Sequence, residues 1–306
     1  KEIAKFVEKM HLDHQISKSW LNSRIKNYVK QKKAIRLISP DNKKRKKIKK
    51  NWYAYRKNFI TSKNINSGRK FLIENQSSLE KASKTFGVPV YIIAGIIGVE
   101  TRFGKIKGSF PVFDTLASLS FDQNHRKDFF KKELKEFLIL AKENQIDISQ
   151  AYGSFAGAMG IPQFMPSSWR SYAIDFNNDG RIDLINSSYD AIGSIANFLS
   201  NHGWKKNELT HALAKINKKT NPNNFLAHSL KTRHNVELLS KAGFYDTSGL
   251  LPPKQAASLI DLPIGKKNKI FWIATENFFS ITMYNRSYMY AAAVLDLADA
   301  LKPNIK

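Results

Sequence analysis

The chain has no cysteine. That excludes a disulfide framework, a thiolate zinc site and a cysteine nucleophile. It suits any compartment, including an oxidising one where a stray thiol would be a liability. Long apolar runs are missing too. Nothing approaches the roughly 20 residues of a membrane span. The most apolar run, Val88 to Val99, is interrupted by Pro89, Gly95 and Gly98. Walker, nucleophile-elbow and dinucleotide signatures are absent, as are internal repeats and a heptad seam. Acidic residues are scarce: 25 Asp and Glu stand against 50 Lys and Arg, a net charge of +25. Such a balance invites a polyanion: nucleic acid, anionic lipid or an acidic wall polymer. Yet the excess is 39 lysines against 11 arginines. Readers of bases and phosphates favour the planar fork of arginine. The lysine bias, with abundant Asn and Ile, reads better as A/T-rich codon drift, and no nucleic-acid partner is expected. Weak attraction to anionic surfaces remains.

What is present is enough for a folded protein. Over 306 residues, 42% are hydrophobic and 12% aromatic, which supports a sizeable core and one large or two to three small domains. The chain opens Lys1-Glu2 rather than with methionine, so a trimmed or mature form is expected. Residues 1–35 show helical spacing in Ile3, Phe6, Val7, Met10, Ile16, Trp20, Leu21 and Ile25. Lys43 to Lys50 holds seven basic residues in eight and reads as a solvated segment. Trp52, Tyr53, Tyr55 and Phe59 come next and should anchor that segment to a core. Helices are predicted over 68–86, from Pro89 to about Phe103, over 128–145, 190–203 and 286–301. The second of these is apolar all round and should be buried. Between about 205 and 272, short apolar pieces such as Phe244-Tyr245, Ala256–Ile260 and Ile270–Ala274 alternate with turn-forming clusters. That texture predicts a small strand-containing domain.

Four stretches carry possible chemistry. Residues 92–104 read IIAGIIGVETRFG and place Glu100 at the end of the most apolar helix. Burial raises a carboxyl pKa, and an acid kept protonated near neutrality can protonate a glycosidic oxygen. The other reading is a structural ion pair with Arg102, and spacing alone leaves both open. Residues 153–168, GSFAGAMGIPQFMPSS, offer small residues that let a ligand approach the backbone, with an amide at Gln163 and rings at Phe155 and Phe164. A tight packing loop fits them equally. Residues 175–186, DFNNDGRIDLIN, have oxygen ligands at the first, third, fifth and ninth positions and glycine at the sixth. They match a calcium loop except at the twelfth position, where Asn186 replaces the bidentate glutamate. Asp190 lies four residues later. Metal binding is favoured over an Asx-rich turn, with weak affinity or a different ion. Residues 284–290, YNRSYMY, suit sugar hydroxyl and acetamido groups but form a weak pattern. The seven histidines are scattered. His11 and His14 lack further ligands, so a surface role is expected.

Taken in order, GVPVYIIAGIIGVETRFGKIKG, DTLASLSFD, GSFAGAMGIPQFMPSSW, DFNNDGRIDL with DAIGSIANFL and HGW, and ITMYNRSYMYA resemble the membrane-bound lytic murein transglycosylases of the B type. These are periplasmic bacterial enzymes. The resemblance covers most of residues 68–204 and 276–302. It implies an α+β, mainly α fold, with a helical domain (1–85), a lysozyme-like catalytic core with a calcium loop (86–204), a small β domain (205–275) and a C-terminal segment returning to the core (276–306). It implies Glu100 as the single catalytic acid and base. Ser154, Phe155, Gln163, Phe164, Tyr284, Asn285 and Tyr290 would bind saccharide. Asp175, Asn177, Asp179, the carbonyl of Arg181 and a later carboxylate, Asp190, would hold a structural calcium ion. The run up to Asp190 is one residue longer than the family pattern. No cofactor is implied for catalysis. The implied partner is peptidoglycan glycan, bound by a monomer in the periplasm, with room for a lipid anchor to the outer membrane in the full-length form. The reaction implied is cleavage between N-acetylmuramic acid and N-acetylglucosamine with formation of a 1,6-anhydro ring. Two alternatives stay open: a hydrolytic muramidase using Asp114 or Asp122 as second carboxylate, and a non-catalytic basic wall-binding module.

Overall fold

A computed structural model describes residues 2–39, 51–122, 125–217, 220–265 and 268–303. The basic run at Lys43–Lys50 lies outside the described residues. The chain divides into two compact units, Lys1–Lys47 with Gly104–Ala191 and Ile48–Phe103 with Ile192–Lys306. The borders expected at 85/86, 204/205 and 275/276 all fall inside the second unit.

In the first unit the expected helical stretch 1–35 is three short helices, Glu2–His14, Lys18–Lys26 and Lys32–Ile38. The breaks have local causes. Gln15 takes a left-handed φ of 53°, and Ser17 caps the next helix by accepting from the Trp20 N–H. His11 contacts the Ile16 carbonyl with Nδ1 at 3.0 Å, closing the turn. Phe6, Val7, Met10, Ile16, Leu21 and Ile25 are buried as the spacing predicts, whereas Ile3 and Trp20 stay exposed. Helix Val112–Phe121 packs on helix Lys127–Glu143. The latter buries Phe130, Leu134, Phe137, Leu138 and Ala141. Phe129 is expected on the same face but is exposed, and the Arg126 guanidinium covers its ring at 4.4 Å. Strands β1 (Phe110–Pro111) and β2 (Tyr152–Gly153) pair antiparallel and tie the start of helix Val112–Phe121 to the loop after residue 150.

In the second unit, the helix predicted over 68–86 is two helices, Ser62–Glu74 and Gln76–Phe86, broken at Asn75. Gly87, at φ 72°, ends the second in the left-handed conformation only glycine adopts freely. Helix Val90–Thr101 then buries Ile92 through Gly98 and Thr101. It packs on helix Tyr288–Leu301. Gly95 permits the contact: a β-carbon there would lie 2.7 Å from the Val294 carbonyl oxygen. Helix Glu276–Tyr284, which the sequence pattern does not separate, precedes Tyr288–Leu301.

The expected strands form a five-stranded antiparallel sheet in the order β4-β6-β7-β3-β5. It comprises β3 (His211–Ile216), β4 (His234–Asn235), β5 (Phe244–Asp246), β6 (Ala256–Pro263) and β7 (Lys269–Thr275). Leu259 stands opposite Ile273. With Leu239, Phe244 and Ala257 they make an apolar core beneath helix Val236–Lys241. The fold is therefore mainly helical α+β, as the sequence predicts. Among the described residues no single helix is long and apolar enough to cross a membrane.

The helix contact at Gly95 gives a direct test. Gly95→Leu forces side-chain atoms into the Val294 backbone and should cost about 3 kcal/mol, read as a lower urea midpoint with an unchanged slope.

Candidate active site

Glu100 sits one residue before the C-terminus of helix Val90–Thr101. The helix cannot continue, because Arg102 and Phe103 take left-handed φ values of 49° and 61°. Such a conformation is uncommon for residues with a β-carbon. Here the Phe103 side chain holds it in place, being buried and 5.5 Å from the Phe71 ring, while its N–H donates to the Ile97 carbonyl. The helix end is thus rigid where it presents its carboxylate.

The Glu100 carboxyl accepts a hydrogen bond of 2.5 Å from the Tyr290 hydroxyl. Among the described residues it forms no ion pair, with Arg102 or any other cation. Burial pushes its pKa up from 4.5 to about 7, against the opposing effect of the Tyr290 hydroxyl, which favours the charged form. Some solvent contact remains. The group therefore keeps much of its proton up to neutral pH without being sealed off. Tyr284 and Tyr290 stack with planes 12° apart. Both phenols are held well above their usual pKa, by burial first and by the Glu100 charge next. Asn285 follows at the exposed end of its helix.

In the first unit, residues 153–164 form a compact loop. Ser154 Oγ accepts from the N–H groups of Ala156 and Ala158 at 3.2 and 3.1 Å, and Met159 pairs with Phe164. Gln163 adopts a left-handed φ of 51°. Its Nε2 donates to the carbonyls of Lys107 and Gly160 at 3.0 and 2.9 Å. Both partners are acceptors, so the amide orientation is decided and Oε1 is left as the acceptor for a ligand. Phe155 is partly exposed, whereas Phe164 is 2% exposed. The sequence suggests a free sugar-facing ring at Phe164; its ring is instead interior, in a loop whose backbone pairs Met159 with Phe164.

Residues 175–190 form an oxygen-rich loop. Asp175 accepts from the N–H groups of Asp179 and Gly180, Asn177 Oδ1 from Asp179 and Asp179 Oδ1 from Arg181. Asp190 is fully buried and closes the loop, accepting from Phe176 and Asp183 at 2.9 Å each. No three carboxylate or histidine side chains converge tightly among the described residues. The side-chain oxygens of the loop, from Asp175, Asn177 and Asp179, are hard donors of the kind calcium takes. Each Asp190 oxygen keeps a second lone pair beyond its backbone partner.

The transglycosylase SLT domain model matches residues 1–299. Membrane-bound lytic murein transglycosylase B of Escherichia coli (strain K12) is 42% identical over 250 residues, 82% of this chain and 67% of that protein. The chain belongs to the transglycosylase SLT domain family. Among solved structures, catenated lytic transglycosylase SltB1 from Pseudomonas aeruginosa superposes with a TM-score of 0.89 at 38% identity, over 98% of this chain and 96% of that one. Escherichia coli lytic transglycosylase Slt35 in complex with calcium gives 0.86 at 37% identity, over 98% and 92%.

In this family member two site features escape sequence reasoning. Tyr55 reads as a core anchor, yet the Glu100 charge helps raise its phenol pKa, after burial. It lies 45 residues upstream of Glu100, so no periodicity connects them. Glu133 is 2% exposed on helix Lys127–Glu143 and accepts from the Ser167 N–H and Oγ at 2.9 and 2.7 Å. It caps helix Pro166–Tyr172, which has no side-chain cap of its own. The predicted helix start at Pro166 is present, with its missing cap supplied from elsewhere. Asp114 and Asp122, candidates for a second catalytic carboxylate, have local roles. Asp114 accepts from the Val29 backbone, and Asp122 pairs with Lys30 at 3.3 Å.

The raised Glu100 pKa has a definite sign. Below pH 4.5 the group is neutral folded or unfolded. Between 4.5 and 7 the unfolded chain ionises first and stability falls, by on the order of 3 kcal/mol in all above pH 7. Glu100→Gln should therefore raise the melting temperature at pH 8 and leave it unchanged at pH 4, while removing turnover. Tyr290→Phe deletes the group that lowers the Glu100 pKa. The alkaline limb of its pH–rate profile should move to higher pH, measured on purified sacculi.

Proposed function

We propose that the chain is a peptidoglycan lytic transglycosylase that cleaves the β-1,4 bond between N-acetylmuramic acid and N-acetylglucosamine. The observation that carries this reading is Glu100: a carboxyl whose pKa burial raises to about 7, bonded to the Tyr290 hydroxyl and, among the described residues, with no cation paired to it. Protonated, it gives its proton to the oxygen leaving C1 of the muramic residue. The C1–O bond breaks, and the substrate's acetamido group steadies the cationic centre. The resulting carboxylate takes the proton of the C6 hydroxyl, whose oxygen bonds to C1. Glu100 ends protonated, and no water is consumed. Tyr290 steadies the carboxylate between the two proton transfers.

Ser154, Phe155, Gln163, Tyr284 and Asn285 are proposed saccharide contacts, with Phe164 and Tyr290 holding their neighbours in place. Gln163 would accept from an acetamido N–H or a hydroxyl. Calcium is the proposed occupant of the 175–190 loop, held by Asp175, Asn177, Asp179, the Arg181 carbonyl and Asp190. Its role there is to neutralise the clustered oxygens, with no part in the chemistry. The relative solved with calcium supports the choice of ion. The four-segment organisation is retained as a proposal, supported by the confinement of β3–β7 to residues 211–275. The relative described as membrane-bound supports a bacterial cell-envelope location. We propose that the protein works in the bacterial periplasm as a monomer, with room for a lipid anchor to the outer membrane.

Digestion of purified sacculi in labelled water tests the reaction. Transglycosylation leaves 1,6-anhydromuramic ends, one water lighter than hydrolytic ends and free of label. Label in most muramic ends would establish a hydrolase instead, and no cleavage at all would leave a binding module. For the loop, added calcium should raise the melting temperature by mass action. Asp175→Ala with Asp179→Ala should erase that response.

A further inference from the structure

The oxygen-rich loop and the Gln163 loop touch through their backbones. The Ile161 N–H donates to the Leu184 carbonyl at 2.8 Å. Gly160, at φ 73°, makes this possible, since a β-carbon there would lie 2.4 Å from the same Leu184 oxygen. Leu184 itself is fully buried. One further connection runs through a lysine. The Lys107 ammonium, partly buried, donates to the Ile185 carbonyl at 2.8 Å. Its own carbonyl accepts from Gln163 Nε2 at 3.0 Å. The next residue, Gly108, is pressed against the Gly153 backbone, where a β-carbon would come within 2.1 Å of the carbonyl oxygen. Lys107 is thus held on both sides.

The chain of bonds continues into the loop. The Ile185 and Asn186 N–H groups donate to Asp183 Oδ1 at 2.9 Å, and the Asp183 N–H donates to Asp190 Oδ2. Asp190 also accepts from Phe176, one residue after Asp175. Every link from the first loop carboxylate to the Gln163 amide is therefore a hydrogen bond or an adjacent residue. A cation held by the loop's carboxylates would pull on the bonded path that ends at the peptide accepting from the Lys107 ammonium. We propose that Lys107 is a positioning residue that couples the loop to Gln163, so that calcium in the loop and saccharide at Gln163 bind with reciprocal cooperativity. This rests on the calcium reading of the loop and the saccharide reading of Gln163. Linkage requires that each ligand tighten the other by the same factor. A lysine that merely braces the fold would raise stability without linking the two affinities.

Calorimetry on the Glu100→Gln protein tests it, since turnover is then removed. Calcium is titrated with and without a saturating tetrasaccharide of alternating N-acetylglucosamine and N-acetylmuramic acid. The saccharide should tighten calcium binding about five-fold, and calcium should tighten the saccharide equally. Adding Lys107→Met keeps the aliphatic stem and deletes the ammonium. Both ligands should still bind, with the coupling factor reduced to about one, and Lys107→Arg should restore part of it. Independent binding of the two ligands in the parent would overturn the proposal, as would coupling that survives Lys107→Met. Absence of any calcium heat would instead overturn the reading of the loop, and the proposal with it.

Discussion

A carboxyl that is to hold its proton toward neutral pH, as the proposed reaction asks of Glu100, has to lose water without gaining a cation. The surroundings of Glu100 in the second unit meet both conditions. The apolar helix Val90–Thr101 removes solvent, and its glycines bring helix Tyr288–Leu301 close, so that Tyr290 is the group in contact. A neutral hydroxyl lowers the pKa far less than a guanidinium would. Had Arg102 turned back onto Glu100, the acid would be ionised at neutral pH and useless as a proton donor. The left-handed backbone at Arg102 and Phe103 ends the helix just past Glu100. The Phe103 ring, packed on Phe71, stabilises that conformation.

The first unit is governed by a different rule. Its loops bury apolar anchors such as Met159, Phe164 and Leu184, and polar side chains satisfy the backbone groups around them. Glu133 caps a helix from a distance, Asp190 closes the oxygen-rich loop from behind, and Ser154 folds the glycine-rich turn onto itself. Buried carboxylates are tolerated here because each receives two backbone or hydroxyl donors. The same logic joins the loops to one another. With so many donors and acceptors satisfied internally, a displacement at one loop meets a bonded partner rather than water.

The net charge of +25 contributes to neither arrangement. Lysines dominate it and lie mostly at the surface. Their ion pairs among the described residues are largely exposed and of little energetic weight. A broad positive field suits an anionic wall polymer.

The sequence by itself determined the local and ordered features. Apolar periodicity marks the burial of helix Val90–Thr101, alternating texture marks the sheet, and the motif order marks the family. Glu100 and the calcium-type loop were legible because their chemistry is contained in a short window. Only the tertiary structure decided which side chains meet. Tyr55 and Tyr290 come from positions 45 residues before and 190 residues after Glu100, and spacing carries no information across such distances. Phe164 and Phe129 exchanged their expected roles for the same reason: an aromatic residue reads as apolar in either setting, and only packing selects the interior. The breaks at Gln15 and Asn75 likewise depended on left-handed and capping geometries that weak local propensity does not specify. What became of the Glu100 charge was the last thing left open. Glu and Arg two residues apart can form an ion pair or turn away from each other, and the choice was made by the backbone that follows them.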